Sequence, residues 1–299
     1  MLDLRAIQRI LAPYGEEWGA PVREFDIGGR HFPFNSSPAL VGVINLSQDS
    51  WYRESVCRTA EEAITRGLAL SKAGADLVDI GAESTLPDAR RVDIQEQQES
   101  LVPVVQALCK QAVLVSVESY YPEVLDAVGA AGAAVFNLTG AAHEDEVLKI
   151  AAKHKAAVIL CYVQGETPRD VGAFSFAEDM MAEIEAHFQE RIRKAQALGV
   201  ERIIVDPGLG FYYGNLQDGE RRIAHQLEVF LHTARLNKLG YPTMNILPHA
   251  PEVFGEDHRR AAEPFFAVLA MLGGTHVLRT HEVEVVAKVR QMLSLYPTG

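Results

Sequence analysis

The chain has 299 residues, 48% of them hydrophobic and 23% charged, with a net charge of −12. That acidity repels nucleic-acid phosphates unless basic residues gather locally, and the densest pairs, Arg221-Arg222 and Arg259-Arg260, each lie beside acids, so no nucleic-acid partner is expected. The apolar stretches are too short to span a bilayer, residues 1–10 carry Asp3, Arg5 and Arg9 in place of a secretory core, and three scattered cysteines (Cys57, Cys109, Cys161) fit a reducing compartment; a cytoplasmic protein without a membrane partner is expected.

A helix is predicted over residues 4–11, followed by a β-hairpin over 24–32 that turns at Gly28-Gly29, because tight hairpin turns need positive φ. Short apolar runs then recur at 40–46, 76–80, 113–117, 134–138, 157–163, 202–205, 243–247 and 275–278. Each is too short for a helix and apolar throughout, as parallel strands buried on both faces are. Amphipathic helical patterns alternate with them, at 60–73, 95–110, 122–131, 144–154, 176–198, 221–239, 260–272 and 282–295. Gly74, Gly132, Gly199 and Gly240 stand where left-handed C-caps would end four of these helices. Eight strand–helix pairs predict an α/β fold, a (β/α)8 barrel, with residues 1–38 forming an N-terminal helix and hairpin that cap the barrel bottom; an open doubly wound sheet is the alternative. No linker or low-complexity tract divides the chain, so residues 1–299 are read as one domain.

In such a barrel the chemistry belongs at the C-terminal strand ends. Polar residues collect there: Asn45, Asp49 and Ser50 after the first strand, Asp79 to Thr85 at the second, Glu118 at the third, Asn137 at the fourth, Asp206 at the sixth, and Arg279 and His281 at the eighth. Singly, an Asp or Asn at a strand end is as often a helix cap or turn former. Asp79 reads as structural, with Ser116 as an expected partner, and His154, His187, His225 and His232 read as surface residues of helices. The convergence of Glu118, Asn137 and Asp206 on one mouth suits a flat heterocycle with an amidine-like edge, since a carboxylate takes two parallel N–H bonds from such an edge. Arg279, His281 and Asn45 supply the opposite polarity, for an anion. Neither a phosphate-binding glycine loop nor a metal-ligand spacing of His or Cys is present.

In this order the motifs resemble the dihydropteroate synthase family of pterin-binding TIM barrels, from about Glu24 to the C-terminus. They are Asn45-Leu46-Ser47-Gln48-Asp49-Ser50, Asp79-Ile80-Gly81-Ala82-Glu83-Ser84-Thr85, Asp206-Pro207-Gly208-Leu209-Gly210-Phe211 and Arg279-Thr280-His281-Glu282-Val283. The resemblance implies a transferase of folate biosynthesis that joins 6-hydroxymethyl-7,8-dihydropterin diphosphate to p-aminobenzoate and releases diphosphate. Carried over, the catalytic set is Asn45, Asp206, Arg279 and His281, and substrate is bound by Glu118, Asn137, Asp206, Thr85, Arg53 and His249. Asn45 would meet Mg2+ accompanying the diphosphate, and the last two helices (Phe265, Phe266, Val285, Val286) would make a homodimer contact or pack on the barrel.

The departures fall on the phosphate and aminobenzoate side. Glu118 stands for the family's aspartate, Leu86 for an arginine, and Leu247-Pro248-His249-Ala250 for a Ser-Arg-Lys stretch, while the first loop lacks its glycines and offers Arg53 as a replacement cation. Two further readings stay open on this pattern: a pterin-dependent one-carbon or methyl transferase, and a pterin binder without turnover.

Overall fold

The computed structural model describes residues 2–47, 49, 55–211, 213–216 and 218–295. Helix α1 (Leu4–Leu11) and the short α2 (Gly15–Gly19) precede a hairpin of β1 (Phe25–Ile27) and β2 (Arg30–Phe32). The barrel then alternates β3 (Ala39–Asn45), α3 (Ala60–Lys72), β4 (Leu77–Gly81), α4 (Ile94–Lys110), β5 (Val115–Glu118), α5 (Pro122–Ala131), β6 (Val135–Leu138), α6 (Glu144–His154) and β7 (Ala157–Cys161). It continues through α7 (Met180–Ala197), β8 (Ile203–Asp206), α8 (Gly219–His232), β9 (Met244–Ile246), α9 (Pro251–Phe254), α10 (Ala262–Leu272), β10 (Val277–Thr280) and α11 (Val283–Ser294). Strands β3 to β10 are parallel neighbours in one eight-stranded sheet, and a parallel bridge between Val205 and Thr243 joins its two edges. The expected (β/α)8 barrel is the observed fold.

Strand periodicity explains why the barrel is apolar below and polar above. Successive side chains point to opposite faces. One parity (Leu40, Ile44, Val78, Ile80, Val117, Phe136, Leu160) packs under the helices. The other faces the barrel axis, and its lower members, Val41, Leu77, Val135, Ala157, Ile204, Met244 and Val277, form a second cluster with Val22, Ile27, Phe32 and Phe34. The hairpin therefore plugs the barrel bottom, as expected, with Gly28 and Gly29 at φ +57° and +83° making its turn. Two residues further up the same inward columns stand Asp79, Asn137, Asp206 and Arg279, and four above Val41 stands Asn45.

The helices end where local chemistry ends them. Thr59, Asp93, Asp179 and Asp218 cap α3, α4, α7 and α8 by accepting backbone N–H bonds in the first turn. Gly74, Gly132, Gly199 and Gly240 all have positive φ, as C-caps of this kind require. Helix α7 begins at Met180 rather than at 176, because Asp179 takes the cap. The expected helix to residue 239 stops at His232 and tightens into a 3-10 segment, since the Ala234 N–H leaves the ladder to donate to the Gly273 carbonyl at 2.9 Å.

Two expectations are corrected. His225 is buried, not a surface residue: it packs on Phe174 and Phe176, and desolvation pulls its pKa down to about 4. His187 is half-buried against Tyr162, with desolvation and then Arg191 pulling its pKa down to about 4. The faces of the last two helices are split, with Phe266 and Val286 in the core and Phe265 and Val285 exposed.

Candidate active site

The polar ends of the inward columns meet in a cleft at the C-terminal mouth of the barrel. At its base Asp79, 1% exposed, accepts from Arg279 Nε at 2.9 Å and from Asn137 Nδ2 at 3.1 Å, both on Oδ2. The partners of Asp79 are Arg279 and Asn137 rather than the expected Ser116, whose hydroxyl it does not bond. Register alone sets Ser116 beside Asp79. A buried carboxylate needs a cation and a donor more than a neighbouring hydroxyl.

Glu118 and Asp206 complete the acidic wall. Glu118 Oε1 accepts from Thr139 Oγ1 at 3.3 Å, and Oε2 stands 3.8 Å from Arg279 Nη2. Its pKa is nevertheless pushed up to about 7, because burial outweighs Arg279 and the negative charges of Asp79 and Asp206 add to it. Asp206 Oδ1 accepts from the Gly208 N–H at 2.7 Å, and burial pushes its pKa to about 6 against that bond and Arg279. Gly208 has φ +81°, and a Cβ there would lie 2.3 Å from the Tyr162 carbonyl, so glycine is required for the chain to turn back over the cleft.

The other predicted residues fall as follows. Asn45, Thr85, Arg279 and His281 line the cleft with Glu118, Asn137 and Asp206. Asn45 Nδ2 donates to Ser55 Oγ at 2.6 Å, which leaves its carbonyl oxygen as the acceptor. Leu86 lines the cleft as well. Arg53 lies outside the described residues. His249 is buried beside Glu263 and His281 instead of forming the cleft wall. Among the described residues, His249 Nε2, Glu263 and His281 bring their ligand-type atoms within 4.8 Å of one another. Spacing in sequence gave no sign of this cluster, because its members come from three segments.

The contacts that support the loop after β4 were also hidden from sequence. Glu83 is held by Gln97 Nε2 at 3.0 Å and by Arg169 at 3.2 Å. Arg169, from the loop after β7, also donates to the carbonyls of Ala89, at 2.9 Å, and Ser84. One buried guanidinium thus pins the loop after β4 across the top of the barrel.

Comparison with known proteins gives this geometry a family. The model of the pterin binding enzyme family matches residues 41–281. The dihydropteroate synthase of Synechocystis is 27% identical over 274 residues, covering 88% of this chain and 91% of the relative. That of Escherichia coli is 26% identical, covering 83% of this chain and 88% of the relative. Among solved structures, the dihydropteroate synthase of Xanthomonas albilineans with 4-aminobenzoic acid superposes with a TM-score of 0.77 at 30% identity, covering 92% of this chain and 100% of that one. The Yersinia pestis enzyme with a sulfonamide drug gives a TM-score of 0.81 at 26% identity, covering 91% and 98%. With the family model spanning most of the chain and the relatives matched nearly end to end, this chain belongs to the dihydropteroate synthase family of pterin-binding enzymes.

Proposed function

We propose that the chain is the transferase that condenses 6-hydroxymethyl-7,8-dihydropterin diphosphate with p-aminobenzoate and releases diphosphate, a step of folate biosynthesis. The observation that carries this reading is the meeting of Asp206, Asn137 and Glu118 with Arg279 in one cleft. Relatives solved with 4-aminobenzoic acid and with 7,8-dihydropteroate support the two halves of the substrate pair.

In this reading Asp206 takes two parallel N–H bonds from the amidine-like edge of the pterin. Asn137 gives its amide N–H to Asp79, so its carbonyl oxygen accepts from the ring. Arg279 spends Nε on Asp79 and keeps terminal N–H groups for the departing anion, with His281 beside it. As the C–O bond to diphosphate breaks, the electron pair leaves with the anion and the pterin methylene becomes cation-like, which the acidic wall of Glu118 and Asp206 favours. The aryl amine then forms the C–N bond and loses a proton, and Glu118, titrating near 7, can accept it. Thr85 and, from the first loop, Arg53 complete the substrate contacts, with His249 behind them.

Mg2+ fits this site as a companion of the diphosphate. The carbonyl oxygen of Asn45 is a neutral ligand of the kind a magnesium ion accepts when phosphates and water supply the rest, and the ion would offset the charge of the leaving group. The three cysteines are free, which suits a reducing cytoplasm, and no described helix is long and apolar enough to cross a membrane. Residues 1–299 act as one unit in this reading, and exposed Phe265, Val285 and Met292 on α10 and α11 support a homodimer contact.

The test is turnover of purified protein with Mg2+, the pterin diphosphate and p-aminobenzoate, with the product identified by mass. Dihydropteroate is expected, and Asp206→Asn should weaken pterin binding by about 1–3 kcal/mol in calorimetry. No product at saturating substrate would overturn the reading.

A further inference from the structure

His249 lies in the loop after β9, Glu263 in the first turn of α10 and His281 just after β10. All three are buried, at 1%, 0% and 5% exposure. Glu263 Oε1 stands 3.2 Å from His249 Nε2 and 3.8 Å from His281 Nδ1. Three donors held 2.0–2.2 Å from one tetrahedral ion are roughly 3.4 Å apart, so these separations bracket what a single ion requires. The carboxylate is also aimed. Its Oε2 accepts from Thr280 Oγ1, from the His281 N–H at 3.0 Å and from the Glu282 N–H at 3.3 Å, while Oε1 accepts no hydrogen bond from the described residues and is presented to the two rings.

We propose that His249, Glu263 and His281 form a protein-held site for one divalent ion of the zinc class, buried behind the cleft wall at His281. Two imidazoles and one carboxylate make the donor set of a zinc site that keeps a coordination position open, and His281 is the member that also lines the cleft. Imidazole nitrogen favours zinc, cobalt or nickel over magnesium, so this ion differs in kind from one carried by a diphosphate. Arg279, Arg260 and Arg66 are the cations that act on His281. The arginines do not forbid a dication: Arg279 is paired with Asp79 at 2.9 Å and Arg260 with Glu282. The Arg66 Nε–H donates to the Val43 carbonyl at 3.2 Å. A ligating carboxylate is itself held by hydrogen bonds from groups behind it, and here Thr280 and two backbone N–H groups supply them. The site stands independently of the substrates assigned above.

The experiment uses untagged full-length protein, stripped with chelator and dialysed. Titration with Co2+ is expected to give one equivalent bound, with the visible absorption of a low-coordinate cobalt site that Zn2+ then displaces. Zn2+ should raise the unfolding temperature of the parent protein. His249→Ala and, as a second variant of near-equal shape, Glu263→Gln should each weaken Zn2+ binding by at least ~100-fold, with circular dichroism checking that they fold. Absence of a cobalt spectrum in folded parent protein overturns the proposal. So does stoichiometric binding that survives in both variants.

Discussion

Replacing Glu118 with Gln should make the ligand-free protein more stable at alkaline pH while removing activity. The carboxyl goes from an ordinary value of 4.5 to about 7 on folding, so the folded chain binds the proton more tightly than the unfolded one. Stability is therefore greatest below 4.5 and declines as pH climbs through 7, and the gap corresponds to about 3 kcal/mol of unfavourable charge burial above that range. Gln keeps the acceptor for Thr139 but gives up the 3.8 Å attraction to Arg279, so a net gain of about 1–3 kcal/mol at pH 8 is expected, with less than ~1 kcal/mol at pH 5. Urea denaturation at both pH values reads this as a shift of midpoint at unchanged slope. A variant that is no more stable than the parent at pH 8, or equally stabilised at both, would refute the claim that desolvation governs Glu118.

Asp79→Ala should cost about 2–4 kcal/mol of stability, because it leaves the half-buried Arg279 guanidinium without its nearest counter-charge; a loss under ~1 kcal/mol in the same assay would show that Glu118 takes over. Leu86→Arg should tighten binding of the diphosphorylated pterin about fivefold at low salt and leave the unphosphorylated pterin unchanged, since an exposed cation gains only modest Coulomb energy. Calorimetry without that selectivity would mean that the side chain at 86 does not reach the phosphates.

The barrel was readable because its strands are short, apolar on both faces and punctuated by glycine C-caps, all of which are local. The convergence of Asn45, Glu118, Asn137, Asp206 and Arg279 was readable for a related reason, since each ends a strand whose inward parity is set by its own alternation. Pairings across the barrel were not. Asp79 meets Arg279 from 200 positions away, and register alone offered Ser116. His225 looked like a polar position on an amphipathic helix, and only the docking of Phe174 and Phe176 buries it. The grouping of His249, Glu263 and His281 required β9, α10 and β10 to be placed first, because ligand spacings are diagnostic only when the ligands share one local element.

The reach of Arg169 from the loop after β7 to Glu83, Ser84 and Ala89 has a thermodynamic consequence. That wall of the cleft is assembled before any ligand arrives, so a small bicyclic fragment entering there orders little of the protein. Fragments should accordingly bind in an enthalpy-rich, entropically inexpensive way, and cutting the Arg169 tie should show as a slower, costlier association before it shows as a lost contact.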